Sequence, residues 1–311
     1  MSKRIIIIIG ATGFIGKALC GQLVQEGYDV VALSRNPHKG NELLGNRVQV
    51  VKWDAQSAAG WSDYAAGAYA IINLAGENIA AGRWTRDKKQ NILQSRLNAG
   101  RAVLEAVEQA KKKPQVVIQA SAIGYYGNRG DAILDEASAP GVGFLPEVAQ
   151  QWEQTTKKVA SLGVRHIIMR SGIVLGRAEG FLPRVLLPFR LFVGGRLGSG
   201  KQWFSWIHIQ DEVKAIGFLL GQENLHGVFN LTSPKPLTAK DFSQVLGKVM
   251  HRPSWLPVPG FALRLILGEM AKELILSGQR VMPKRLLEAG YEFLHIEAET
   301  ALHEILKALP T

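Results

Sequence analysis

The chain has 311 residues, 47% of them hydrophobic and 20% charged, which excludes a disordered or low-complexity protein and predicts one large domain or a domain with an appendage. Cys20 is the one cysteine, so an internal disulfide and a cysteine-based zinc site are excluded, and we predict no metal site. The net charge is +11, and the stretch from Arg165 to Lys201 holds seven Lys and Arg residues against one acid, Glu179.

The basic residues lie among apolar residues and glycines rather than in a Lys/Arg tract, and no RNA-binding signature is present. We therefore predict a phosphate-bearing small ligand and no nucleic-acid partner. No stretch approaches the roughly 18 apolar residues that span a bilayer, and the run Ile5–Ile9 is too short for a signal peptide. We expect a cytoplasmic protein without a membrane partner, and the sequence predicts no particular oligomeric state.

The first 171 residues alternate between strand and helix patterns. Strands are predicted at Lys3–Gly10, Asp29–Leu33, Val48–Trp53, Tyr69–Leu74, Gln115–Ser121 and Arg165–Ser171. Helices are predicted at Phe14–Glu26, Thr85–Lys113 and Glu147–Leu162. Such repeated units indicate an α/β fold of the doubly wound, Rossmann type, in which helices cover both faces of a parallel sheet.

After Gly172 the pattern becomes rich in loops. It predicts a short helix from Asp211, a strand at Val228–Leu231 and, because Thr238 is a good N-cap residue, a helix at Ala239–Met250. Further helical stretches are expected near Phe261–Leu276 and Ala298–Ala308. We predict a nucleotide-binding domain over residues 1–172, to which parts of 200–235 return, and a smaller substrate-side domain over residues 173–311.

A glycine-rich turn follows the first predicted strand and opens the first predicted helix. It reads Gly10, Ala11, Thr12, Gly13, Phe14, Ile15, Gly16. The spacing lets the backbone turn tightly and approach a pyrophosphate, whose charge the helix N-terminus favours. The alternative is that these glycines serve only close strand–helix packing. With a strand before it and a helix after it, the motif favours dinucleotide binding.

The end of the second predicted strand distinguishes the two nicotinamide dinucleotides. A site for NAD places a carboxylate there to bind the ribose 2′-hydroxyl, whereas this chain has Ser34, Arg35 and Asn36. Arg35 can pair with a 2′-phosphate and Ser34 can hydrogen-bond to the same phosphate. The sequence therefore favours NADP(H), against the alternative that Arg35 is a solvated loop cation.

Six segments together resemble the extended and atypical short-chain dehydrogenase/reductases, and more closely the subgroup called epimerase family proteins, which ends in a small C-terminal domain of unknown function. They are Gly10–Gly16, Asn73–Gly76, Ser121–Gly127, Trp206–Asp211, Leu256–Pro259 and Ser277–Arg280. The resemblance covers essentially the whole chain. It implies an NADP-binding domain and further cofactor contacts from Leu74, Ala75 and Gly76, which form one turn, and from Asn91, Arg96 and Val174.

The superfamily's usual proton-transfer pair, Tyr-x-x-x-Lys, does not occur in this sequence. The corresponding segment has Phe144 and Val148, and Ala122 takes the usual Ser/Thr position. We predict Tyr125 and Ser121, at the end of the fifth strand, as catalytic candidates, because active sites of open α/β sheets lie there. Tyr126 is an equal alternative to Tyr125, and Ser121 could bind a carbonyl oxygen or only cap the strand.

Other residues remain as open alternatives for chemistry. Glu147 and Glu153 are further candidate proton carriers, Arg83 and Trp84 could bind an acidic planar substrate, and His208 is predicted to be structural.

Three functions are consistent with these features. The first is an NADP(H)-dependent oxidoreductase that acts on a small acidic or aromatic molecule. The second is a nucleotide-sugar epimerase, although oxidation of a sugar needs the missing base. The third is a non-catalytic NADP(H)-binding protein that senses redox state or binds a partner.

Overall fold

The computed structural model describes residues 4–307. Its strands, in chain order, are β1 (Ile5–Ile9), β2 (Asp29–Ser34), β3 (Gln49–Lys52), β4 (Ala70–Asn73), β5 (Val116–Ala122), β6 (Ile133–Leu134), β7 (Arg165–Ser171), β8 (Ile173–Leu175), β9 (Trp203–Phe204), β10 (Trp206–His208), β11 (Gly227–Leu231), β12 (Leu237–Thr238) and β13 (Arg280–Val281). Its α-helices are α1 (Phe14–Gln25), α2 (Pro37–Leu44), α3 (Ser62–Ala65), α4 (Arg86–Gln109), α5 (Phe144–Thr155), α6 (Leu182–Arg190), α7 (Ile209–Gly221), α8 (Ala239–Met250), α9 (Gly260–Leu267), α10 (Lys284–Glu288) and α11 (Ala298–Lys307).

Seven strands form one parallel sheet in the order β11-β7-β5-β4-β1-β2-β3. Its interior strand β1, between β4 and β2, is a run of five isoleucines, of which Ile6–Ile9 are completely buried, as expected for a strand covered on both faces. Helices α1 and α7 pack on one face, and α3 and α4 pack on the other. The prediction of a doubly wound α/β fold is confirmed.

The strand order reverses between β1 and β4, because the chain leaves β1 toward β2 and β3 and later returns to the other side of β1. In open α/β sheets the crevice at such a reversal, beyond the carboxyl ends of the strands, is where ligands bind. This topology therefore places the turns after β1, β2 and β4 around one crevice.

A second core lies beside the sheet and is built from residues after the predicted boundary near 172. Helices α6, α8 and α11 pack there around three phenylalanines, Phe181, Phe204 and Phe242, whose ring centroids lie 4.3 to 5.9 Å apart. Helix α8 begins as predicted, because the Thr238 side chain accepts a hydrogen bond from the backbone N–H of Asp241.

The expected helix near Phe261–Leu276 is interrupted in the structure. Helix α9 ends at Leu267, since Gly268 adopts a φ of +62°, and a separate π-helical turn follows at Ala271–Ile275. The predicted strand residue Lys3 and the predicted helix end at Ala308 lie outside the described residues. Over residues 4–307, no helix combines the length and apolar character required for a membrane span.

Candidate functional site

The glycine-rich turn joins β1 to α1 and has the close packing that its spacing predicts. Gly10 adopts a φ of +83°, and the N–H of Gly13 donates to its carbonyl at 3.0 Å. A Cβ on Gly10 would lie 2.8 Å from the backbone carbon of Leu74, and a Cβ on Gly16 would lie 2.3 Å from the Gly10 carbonyl oxygen. Glycine is therefore required at both positions, because the turn packs directly against the end of β4 and against the first turn of α1.

A cleft of about 1440 Å³, counting the part open to solvent, lies over this turn. Eight of the predicted cofactor residues line it, namely Gly10, Thr12, Gly13, Ser34, Arg35, Leu74, Ala75 and Gly76. The cleft thus brings together the turns that follow β1, β2 and β4. Its position over the N-terminus of α1 suits a ligand with a pyrophosphate group.

The end of β2 presents Ser34 and Arg35 to the cleft without a carboxylate at either position. The Ser34 hydroxyl donates to the Asn36 carbonyl and accepts from the Asn36 N–H, and the Asn36 side chain caps α2 by accepting from Lys39 N–H. Arg35 is exposed at the cleft wall. This local hydrogen bonding fixes the turn that carries the Arg35 guanidinium.

The other predicted cofactor residues stand behind or beside the cleft lining. Phe14 packs its ring against Gly176 and Gly180, whereas Ile15 and Val174 pack against the core between α1 and the sheet. Asn91 is exposed on α4. None of these four residues lines the cleft.

Arg96 lies directly behind the Gly76 turn. Its guanidinium donates to the carbonyls of Glu77 and Ile92 and stacks on the Trp152 ring at 4.9 Å. Burial lowers the pKa of Arg96 to about 10. A Cβ on Gly76 would lie 2.9 Å from the Arg96 guanidinium carbon, so Arg96 supports the cleft wall from behind.

Sequence reasoning missed Lys17, which lines the cleft and forms an ion pair with Glu179, a second lining residue. The signal was present in the sequence, because Lys17 lies one helical turn after Gly13 and so on the side of α1 nearest the turn. The pair joins α1 to the loop before α6.

Ser121 is part of a buried polar network beneath the carboxyl end of β5. Its hydroxyl donates to Glu153 at 2.6 Å, and Glu153 accepts two further hydrogen bonds from the Arg170 guanidinium at 2.8 and 2.9 Å. Arg170 also donates to the Tyr126 hydroxyl, which donates to Asn230. The Ser121 hydroxyl proton is therefore held in a hydrogen bond to Glu153, and the Glu153 carboxylate forms an ion pair with Arg170 in the same network.

Tyr125 differs from its neighbour Tyr126. Its ring lies over the Arg170 guanidinium at 3.3 Å, and in the described part of the chain its hydroxyl has no hydrogen-bond partner. Tyr126 is completely buried, and burial raises the pKa of its hydroxyl to about 12. Of the two tyrosines, Tyr125 is the one whose hydroxyl forms no hydrogen bond within residues 4–307.

The segment that carries the tyrosine–lysine pair in the superfamily forms the first turns of α5 in this chain. Phe144 packs edge-on against Trp84, with ring centroids 5.1 Å apart, and Val148 is buried in the same cluster. Glu147 on this helix is exposed and accepts from Gln151. The apolar pair thus contributes to a packed cluster that also contains Leu274 from the C-terminal part of the chain.

A second group of titratable residues ties α7 to the C-terminal segment. Asp211 accepts from the N–H groups of Leu294 and His295 and from the His295 ring, whose other nitrogen contacts Glu304 at 2.7 Å. His208 stacks on His295 and accepts from the backbone N–H of Gln210 through Nδ1.

Burial and the neighbouring His295 lower the pKa of His208 to about 4, so its ring is neutral at pH 7. A neutral ring that accepts through Nδ1 carries its proton on Nε2. The Nε2 atom of His208 then has no lone pair with which to bind a metal ion. The group holds α7 and α11 together.

Comparisons with known proteins agree with this geometry. Residues 6–232 match the model of the NAD dependent epimerase/dehydratase family, and residues 258–305 match a domain of unknown function, DUF1731. Epimerase family protein YfhF of Bacillus subtilis is 38% identical over 97% of both chains. The chloroplastic epimerase family protein SDR39U1 homolog of Arabidopsis thaliana is 38% identical over 98% of this chain and 88% of its own length.

Among solved structures, the crystal structure of human epimerase family protein SDR39U1 with NADPH is similar, at 33% identity and a TM-score of 0.89. The alignment covers 98% of this chain and 100% of the human chain. Together, the glycine turn, the cleft and these matches confirm the resemblance in the sequence. The chain belongs to the NAD dependent epimerase/dehydratase family, in the group of epimerase family proteins that end in a DUF1731 domain.

Proposed function

We propose that this protein binds NADP(H) in the cleft over the glycine turn and acts as an NADP(H)-dependent oxidoreductase on a small molecule. The observation that carries this proposal is the cleft wall at the end of β2, where Ser34 and Arg35 stand in place of a carboxylate. The NADPH in the crystal structure of the human relative supports it.

The residues present fit this cofactor. The turn Gly10–Gly16 leaves the N–H groups at the start of α1 facing the cleft, where the helix dipole favours a pyrophosphate. Arg35 would hold the 2′-phosphate by charge-assisted hydrogen bonds. The Ser34 hydroxyl, which donates to the Asn36 carbonyl in this structure, would have to turn from that carbonyl to add a weaker one. When bound, the cofactor supplies a hydride, and the chain supplies orientation and a proton.

The proton donor that the geometry favours is Tyr125. Its ring rests on the Arg170 guanidinium at 3.3 Å, and its hydroxyl has no hydrogen-bond partner among residues 4–307. In the superfamily a lysine lies close to the tyrosine, and here Arg170 would take that place. Ser121 would act indirectly, because its hydrogen bond to Glu153 helps to hold Arg170 in place.

A non-catalytic NADP(H) sensor is the second candidate function. It is favoured by one observation, the apolar packing of Phe144 and Val148 where the superfamily has its proton-transfer pair. A nucleotide-sugar epimerase is also consistent with the family match and with the 30% identical structure of a nucleoside-diphosphate sugar epimerase from Corynebacterium glutamicum. The residues Phe144 and Val148 argue against it.

The cofactor assignment is tested by Arg35→Ala. We expect the variant to lose NADPH affinity by about tenfold or more, as one charged hydrogen-bonding partner of a phosphate is removed. NADH affinity should change little, because NADH has no 2′-phosphate. Titration of each cofactor by its fluorescence measures both values.

The matched control is Arg47→Ala, which removes an exposed arginine that does not line the cleft. It should leave the affinities for both cofactors unchanged. Equal losses of NADPH and NADH affinity in Arg35→Ala would contradict the assignment of the 2′-phosphate to Arg35.

A further inference from the structure

A second cavity lies between α6, α8 and the segment after α9. Its volume is about 850 Å³, counting the part open to solvent. Its walls are mostly apolar, with Phe181, Val185, Phe204, Phe242 and Leu274 among the lining residues. No function described above uses this cavity.

The cavity adjoins the region where the reaction would take place. Ile173 lines it, and the next residue on β8, Val174, packs on the opposite side against the core of α1. Leu274 lines it and also packs in the cluster of Phe144 and Val148, where the superfamily has its catalytic pair. The cavity therefore adjoins both β8 and the cluster at the start of α5.

The polar side chains of the lining already have partners within the protein. The Gln202 amide donates to the carbonyls of Leu197 and Ile275, and the Trp203 indole N–H donates to Asp131. Ser243 bonds to Ser254, and the Ser277 hydroxyl donates to the Lys272 carbonyl. A ligand with many hydroxyl groups would find few groups here to replace its hydrogen bonds to water, so binding it would be costly.

The exception is Arg184, which is exposed at the opening of the cavity. One of its nitrogens donates to the Ala80 carbonyl, and within residues 4–307 no carboxylate forms an ion pair with it. The one acid of the surrounding stretch, Glu179, is paired with Lys17. The opening is therefore positively charged while the interior is apolar.

We propose that this cavity binds the substrate, and that the substrate is an amphipathic anion with a hydrocarbon chain or ring inside and an anionic group at Arg184. The inference rests on the proposed NADP(H)-dependent function and narrows its substrate class. The apolar lining also argues against a nucleotide sugar as the substrate, because the sugar hydroxyl groups would have no hydrogen-bond partners in the cavity.

Decanoate is the probe that tests this inference, with decanol as its uncharged counterpart and UDP-glucose as the nucleotide sugar. Each is titrated calorimetrically into the full chain saturated with NADPH. We expect decanoate to bind with a Kd below about 1 mM, decanol to bind more weakly, and UDP-glucose not to bind in the cavity.

Three variants distinguish the two ends of the ligand. Val185→Phe fills the cavity and should abolish the binding of both decanoate and decanol. Arg184→Gln should lower the affinity for decanoate by about tenfold and leave the affinity for decanol unchanged, because only the anionic ligand loses a charged partner. Arg190→Gln, which alters an exposed arginine of α6 outside the lining, should bind decanoate like the parent chain.

Thermal melting and NADPH titration on each variant show that it is folded. If NADPH binds and decanoate does not, or if Val185→Phe binds decanoate normally, the inference is overturned and the proposed function stands. Binding of UDP-glucose that Val185→Phe abolishes would also overturn it. If the parent chain does not bind NADPH, the proposed function fails and the inference falls with it.

Discussion

Glu212 is a carboxyl group with no exposed surface, in the first turn of α7. One oxygen accepts from the Ser171 hydroxyl at 2.6 Å, and in the described residues the other has no hydrogen-bond partner. Burial raises the pKa of Glu212 from 4.5 to about 8, and the Ser171 hydrogen bond only partly opposes this. The group is thus protonated in the folded protein at pH 7.

This raised pKa predicts a loss of stability as the pH increases. Between pH 4.5 and about 8 the folded state holds a proton at Glu212 that the unfolded state releases, so the free energy of unfolding falls across this window. Glu212→Gln keeps the shape without the charge and should remove this part of the dependence. We expect the variant to exceed the parent chain in Tm at pH 8 and to differ little at pH 5, as measured by calorimetry.

The exposed Glu108 provides the control, since Glu108→Gln should reproduce the pH dependence of the parent chain. A difference in Tm between Glu212→Gln and the parent chain that stays constant from pH 5 to pH 8 would show that Glu212 does not titrate as described.

The buried network around Arg170 shows which residue-scale features the sequence did not reveal. Ser121 and Glu153 were separate candidates for chemistry, yet Ser121 donates a hydrogen bond to Glu153, and Glu153 forms an ion pair with Arg170. These residues come from β5, α5 and β7, and only the folded arrangement brings them together. Removing one partner of such a buried ion pair typically lowers the free energy of unfolding by about 3–5 kcal/mol. The network therefore holds the base of the candidate site in place.

Among the elements, the turn into α1 was the most predictable part of the site. A strand, three spaced glycines and a helix impose one local geometry, and the structure contains it. The later part of the chain was less predictable. The apolar pattern over residues 261–276 continues through Gly268, whose positive φ ends α9, so periodicity alone extended the helix too far.

Helix α1 offers a matched pair of glycine substitutions that tests the turn. Gly16→Ala would place a Cβ 2.3 Å from the Gly10 carbonyl oxygen and should force the turn to move. We expect a destabilisation of about 1–3 kcal/mol, typical of overpacking, together with a loss of NADPH affinity of at least about tenfold. Denaturant unfolding and fluorescence titration measure the two effects.

Gly21 lies on the same helix, and a Cβ added there meets nothing within 4 Å. Gly21→Ala should therefore stabilise the protein by up to about 1 kcal/mol through helix propensity and leave NADPH binding intact. Normal cofactor affinity in Gly16→Ala would indicate that close packing of the turn is not required for binding.

For the whole molecule, the sequence predicted the sheet and the crevice because repeated strand–helix units allow few topologies. It did not predict the second cavity, whose lining comes from several separate segments between Ile173 and Ser277. Because these segments are far apart in the sequence, the order of polar and apolar residues along the chain does not indicate that they line one cavity. The substrate class therefore had to be inferred from the folded protein.

The proposed function is hydride transfer between NADP(H) and a small molecule. The most direct measurement incubates the full chain with a metabolite extract and NADPH deuterated at the transferable nicotinamide position, in separate samples for each face of the ring. Mass spectrometry then detects the label. We predict that deuterium is incorporated into one metabolite and that Arg35→Ala lowers the rate of this incorporation. Tight NADPH binding without label in any metabolite, from either face, would contradict the account.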